Sequence, residues 1–156
     1  MYQSRITGLG MYVPENVVTN KDLSDIMDTS NDWIVDRTGI LERRHIKMGD
    51  GNTTTTMGVK AAKIAIERAE IKKDDIDLIL FATLSPDYYF PGSGVLVQEN
   101  LGIKTCPAMD IRNQCSGFIY ALSTADQYIK TGMYKNILVI GSENHSGGLD
   151  MSTRGR

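Results

Sequence analysis

The order of short apolar runs and amphipathic stretches constrains this chain more than any single residue does. Leu78 to Thr83, Cys106 to Ile111 and Asn136 to Gly141 are runs of buried-strand type. Between them lie stretches with apolar residues at helical spacing. Thr53 to Ala69 carries Met57, Ala61, Ile64 and Ala65 on one stripe, and 118, 121, 122, 125 and 129 form another. Gly94 to Leu101 is a third helix, closed by Gly102, and Gly132 sits where a C′ glycine ends the helix that starts near Phe118. With Ser4 to Val13 read as a first strand, whose candidate core residues are Ile6, Leu9, Tyr12 and Val13, the order alternates strand and helix throughout. Helical crossovers between apolar strands imply an α/β fold, a mostly parallel mixed sheet with helices on both faces, joined by right-handed crossings.

Upstream, Thr19-Asn20 caps a short helix, and Ser30 caps another that runs through Trp33 and Arg37 to stop at Gly39. Ile40 to Ile46 reads as extended. The 156 residues suffice for one compact domain. With 41% hydrophobic and 23% charged residues and a net charge of −2 without a basic cluster, nucleic acid is not an expected partner. No run approaches the roughly 20 apolar residues that span a bilayer, and the start lacks a secretory apolar core. Two cysteines without metal spacing point to neither a disulfide framework nor a metal site and fit a reducing, cytoplasmic setting.

The stretch Asp110-Ile111-Arg112-Asn113-Gln114-Cys115-Ser116-Gly117-Phe118 reads as strand end, sharp turn, cysteine and helix start. Unpaired N–H groups and the macrodipole at a helix start favour a thiolate, the nucleophilic form of cysteine. Ser116-Gly117 leaves room beside the sulfur for a carbonyl. From the residues alone two readings of Cys115 stand: a nucleophile, or a small buried hydrophobe. His45 and His145 are the only histidines, and neither has a motif around it that would make it a base.

This stretch, continued through Ala125-Asp126-Gln127-Tyr128, resembles the active-site segment of β-ketoacyl-acyl-carrier-protein synthase III, a thiolase-like condensing enzyme. Ile6 to Pro14, Asp28 to Ile40 and Val139 to Glu143 are similar to further blocks of the family in the right order. The resemblance implies a five-layered αβαβα fold of two similar halves, of which residues 1–156 are the N-terminal one. It implies that Cys115 takes an acyl group from acyl-CoA as a thioester and condenses it with malonyl-acyl-carrier-protein, with no cofactor. The His and Asn that complete the site belong to the other half, to which no position here corresponds. By the same resemblance Thr29, Trp33, Arg37 and Arg154 hold coenzyme A, with Trp33 and Arg154 sandwiching the adenine. Phe90 crosses a homodimer interface to line the partner protomer's acyl pocket. Asn113-Gln114 and Ser85 to Tyr89 depart from the common pattern and leave the primer open, so a related enzyme of specialised metabolism remains a reading. Two readings outside the family's activity also stand: a non-catalytic fragment that binds coenzyme A or dimerises, and an unrelated cysteine hydrolase. The polar tail from Gly141 follows a sheet that looks unfinished, so the chain is expected to work with a second half, and Arg154-Gly155-Arg156 in a polar loop suggests proteolysis as one origin of the end.

Overall fold

A computed structural model describes residues 2–152. The chain divides into two compact units: the N-terminal segment through Tyr12 with Thr53–Glu143, and Val13–Asn52 with the residues from Asn144 onward.

The first unit is built on three parallel strands in the order β4-β3-β5: β3 (Leu78–Ala82), β4 (Ala108–Ile111) and β5 (Ile137–Gly141). β3 is central, and all five of its residues are buried. Alternation along a strand sends its side chains to opposite faces. Ile79 and Phe81 pack with Val59 and Ala62 of α3 (Thr54–Arg68) and Val97 and Leu101 of α4 (Ser93–Leu101). Leu78, Leu80 and Ala82 pack with Ala121 and Ala125 of α5 (Gly117–Thr131). The result is a helix–sheet–helix sandwich. Each fully buried large side chain in it contributes roughly 1.5–3 kcal/mol relative to exposure.

Local chemistry fixes the helix ends. Thr53 caps α3 in a reciprocal capping box with Thr56. Gly102 and Gly132 close α4 and α5 in the left-handed conformation at φ 66° and 76°.

Residues 2–12 differ from the expected first strand. Among the described residues they join no sheet, and Ile6 and Leu9 are exposed rather than core. The segment lies on α3 instead. A Cβ on Gly8 would stand 2.2 Å from the Ala65 carbonyl oxygen, and one on Gly10 would stand 2.0 Å from that of Ala61. Lys60 donates to the Tyr12 hydroxyl at 2.9 Å, Arg68 to the Leu9 carbonyl at 2.9 Å, and Ser4 to Asp126 of α5 at 2.6 Å. β4 is likewise half-buried rather than fully buried, because it forms the sheet's edge.

In the second unit β1 (Val17–Thr19), which the sequence pattern did not announce, pairs antiparallel with β2 (Glu42–Arg44), which lies inside the stretch Ile40 to Ile46 read as extended. α1 (Asn20–Ser24) is capped by Thr19 and α2 (Asn31–Thr38) by Ser30, and Gly39 ends α2 at φ 69°. Buried Asn20 ties the unit together. Its amide donates to Asn31 and to the Ile40 carbonyl, and its side-chain oxygen accepts from Arg43 at 2.7 Å.

Candidate active site

Ligand sites of open parallel sheets form beyond the carboxyl ends of the strands. Here β3 ends at Ala82 and runs into the loop 83–92, β4 ends at Ile111 four residues before Cys115, and β5 ends at Gly141 two residues before Glu143.

Cys115 is exposed. It lies in a single 3-10 turn, Gln114–Ser116, placed just ahead of α5. The chain enters that turn through Gln114 at φ +40°, a region that costs a non-glycine residue on the order of 1–3 kcal/mol. This bend brings the chain off β4 and lifts the sulfur clear of the packed helix start. Gly117 next to it is buried, and a Cβ there would touch Ala82 at 3.4 Å, so the start of α5 rests directly on the end of β3. The other cysteine is different. Cys106 is half-buried, and that burial, reinforced by the charge of Asp77, raises its thiol above the usual cysteine range.

Three carboxylates hold the loops around this end of the sheet. Glu143 accepts from the Leu84 N–H at 2.5 Å, the Ser85 N–H at 3.1 Å and the Ser85 hydroxyl at 2.6 Å. Asp87 accepts from the N–H groups of Thr54 and Thr55 and from the Thr53 hydroxyl, closing the start of α3. Asp110 accepts from Ser93 and Gly94 at 2.8 and 2.7 Å, closing the start of α4. Charge-assisted bonds of this kind are about twice as strong as neutral ones. The loop between them carries Phe90, which is exposed. Its neighbour Tyr89 lies under the guanidinium of Arg112, 5.5 Å from the ring centroid, so this loop and the segment leading to Cys115 meet. None of the three clamps was singled out as a site residue from the sequence; the only cue was a carboxylate shortly after an apolar run or at its end.

The remaining expected contacts belong to the second unit. Trp33 is half-buried on α2, and Arg37, one turn on, holds its guanidinium 4.6 Å from the indole centroid. The Thr29 hydroxyl is buried without a hydrogen-bond partner. These three fall within five residues on either side of Trp33, Thr29 just ahead of the Ser30 cap and Arg37 in the last turn. Arg154 lies outside the described residues. Both histidines also belong to this unit. Burial first, and the charge of Arg43 second, lower the His45 imidazole below its ordinary value. Among the described residues no three His, Cys, Asp or Glu side chains cluster to hold a metal, and no helix is long and apolar enough to cross a membrane.

Residues 109–156 match the family model for 3-oxoacyl-[acyl-carrier-protein] synthase III. The β-ketoacyl-[acyl-carrier-protein] synthase III 1 of Vibrio vulnificus is 53% identical over 151 residues, which is 97% of this chain and 47% of that protein. The crystal structure of 3-oxoacyl-[acyl-carrier-protein] synthase III from Aquifex aeolicus superposes with a TM-score of 0.92 at 47% identity, over 99% of this chain and 48% of that one. The priming β-ketosynthase of the R1128 polyketide pathway superposes at 0.93 with 31% identity, over 98% and 45%. The chain thus spans about half the length of the relatives that it matches.

Proposed function

Because the chain is homologous over nearly its whole length to about half of a 3-oxoacyl-[acyl-carrier-protein] synthase III, we propose that it is the acyl-accepting part of such a condensing enzyme. The observation that carries this reading is an exposed Cys115 on a strained turn between β4 and α5, at the carboxyl end of a parallel sheet. The Cys115 sulfur attacks the thioester carbonyl of an acyl-CoA. The carbonyl–sulfur bond of the substrate breaks, coenzyme A leaves as its thiol, and the acyl group stays on Cys115. Trp33 and Arg37, with Thr29 and Arg154, take the coenzyme A, the adenine lying against the indole. A planar guanidinium suits both stacking and phosphate pairing.

Condensation with malonyl-acyl-carrier-protein needs donors for the enolate left by decarboxylation, commonly the largest contribution to rate. Those donors, a His and an Asn, come from the part of the synthase that this chain does not span. The complete enzyme works in the cytoplasm as a homodimer without a cofactor, Phe90 reaching the partner's acyl pocket. The likeness to a polyketide priming ketosynthase supports a specialised primer as the second reading.

The test is intact mass after incubation with a panel of acyl-CoAs. The wild type gains one acyl group and Cys115→Ala gains none. The isolated chain yields no ketoacyl product with malonyl-acyl-carrier-protein. Acylation that persists in Cys115→Ala overturns the assignment.

A further inference from the structure

α2 carries Trp33 and Arg37, and one side chain outside that helix holds both of its ends. Asn20 is the first residue of α1 and is 1% exposed. Its amide nitrogen donates to the Asn31 side-chain oxygen at 3.0 Å and to the Ile40 carbonyl at 2.8 Å. Asn31 opens α2, and Ile40 directly follows Gly39, the left-handed residue that closes it. The amide oxygen accepts from Arg43 of β2 at 2.7 Å, and Arg43 also donates to the Val18 carbonyl of β1 at 3.2 Å. The orientation of the amide is fixed from both sides, because a guanidinium only donates and a backbone carbonyl only accepts. Two donors and an acceptor on so short a stem are what asparagine alone supplies. Thr38 secures the exit turn, donating to the Ile34 carbonyl at 2.7 Å and accepting from the Ile40 N–H at 3.1 Å. Ile34 is buried, so α2 is held at its ends and on its inner side.

We propose that Asn20 is a positioning residue for coenzyme A. It touches no ligand itself. It sets the place of α2, and with it the stacking face where the Arg37 guanidinium lies 4.6 Å from the Trp33 indole centroid. The inference rests on the reading that this face takes the coenzyme. A fully satisfied buried polar network specifies one arrangement of the elements that it joins, and a stacked ring with a paired phosphate tolerates little displacement of either partner. Asn20→Asp isolates the effect. The carboxylate has nearly the same shape and still accepts from Arg43, but it donates nothing, so the Ile40 carbonyl loses its partner and faces a negative charge. The bond to β2 is kept and the grip on α2 is lost.

Trp33 is the single tryptophan, so quenching of its emission by coenzyme A reads the site directly. The test titrates coenzyme A into the wild type and Asn20→Asp, and follows acylation of Cys115 against acyl-CoA concentration by intact mass. The expected result is a Kd for coenzyme A raised by about tenfold or more in Asn20→Asp, with the half-saturating acyl-CoA concentration raised alike. The acylation rate at saturation stays within about twofold, a split that a merely structural role does not produce. Should melting show Asn20→Asp unfolded at the assay temperature, Asn31→Ala decides, since it removes one of the two ties and is expected to weaken binding by about threefold or more. A folded variant with an unchanged Kd, or one whose saturated rate falls as far as its affinity, overturns the inference. A wild type whose emission coenzyme A does not quench sinks the coenzyme reading and the inference with it; quenching equal in the wild type and the folded variant sinks the inference alone.

Discussion

Two thiols in one chain of 156 residues meet opposite surroundings. Cys106 is half-buried, and burial and Asp77 hold it protonated, whereas Cys115 stands exposed beyond a left-handed Gln114. Iodoacetamide at pH 8 is therefore expected to modify one equivalent quickly, with Cys106 at least about tenfold slower because the thiolate is the reacting form. Peptide mapping locates the fast site, and Cys115→Ser leaves only the slow one. Equal rates at the two sulfurs contradict this assignment. Glu143 acts at the same scale. Its carboxylate gathers two backbone N–H groups and a hydroxyl at the start of the Phe90 loop, where the Thr54 hydroxyl also donates to the Ser85 carbonyl.

Among the elements, the N-terminal segment depends on the absence of two side chains. The space above Gly8 is already filled by the Ala65 carbonyl oxygen, 2.2 Å from where a Cβ would be. Gly8→Ala must push the segment off α3, and overpacking of this kind costs on the order of 1–3 kcal/mol. Urea unfolding reads the loss, and a wild-type midpoint would show that the segment does not bear on stability. The helix ends were legible beforehand because caps are local: Thr19, Ser30, Gly39, Gly102 and Gly132 each act within a turn of their own position. The Ser4 to Val13 strand was misread because strand status depends on a neighbour far away in sequence, and periodicity cannot report whether one is there. The three-residue β1 was missed for the same reason, since its partner begins only at Glu42. On α5 the apolar stripe gave Ala121 and Ala125 correctly, but Phe118 at its first position is 41% exposed, and Ile119 and Tyr120 are exposed too. The strand–turn–helix setting of Cys115 was legible in the sequence. Its clamps were not, since Glu143 acts on Leu84 and Ser85 across 59 and 58 residues.

At the scale of the whole molecule, pH acts through His45. Burial lowers its folded-state value below the ordinary one near 6.5, so the folded form binds fewer protons than the unfolded one. Stability from this residue is present above about pH 6.5 and is lost as pH falls below it, since protonation then favours unfolding. Trp33 is the single tryptophan and belongs to the same unit as His45, so its fluorescence follows that unit. Melts followed this way are expected to move to lower temperature between pH 7.5 and 5.5, and His45→Gln to flatten that dependence. An unchanged slope in the variant rejects the assignment. Asp87, Asp110 and Glu143 carry a further electrical consequence. Each already accepts two or three donors at the carboxyl end of the sheet. Their negative charge is spread onto the dipoles that hold the loops. A phosphorylated visitor drawing near that rim is repelled less than a tally of acidic side chains implies.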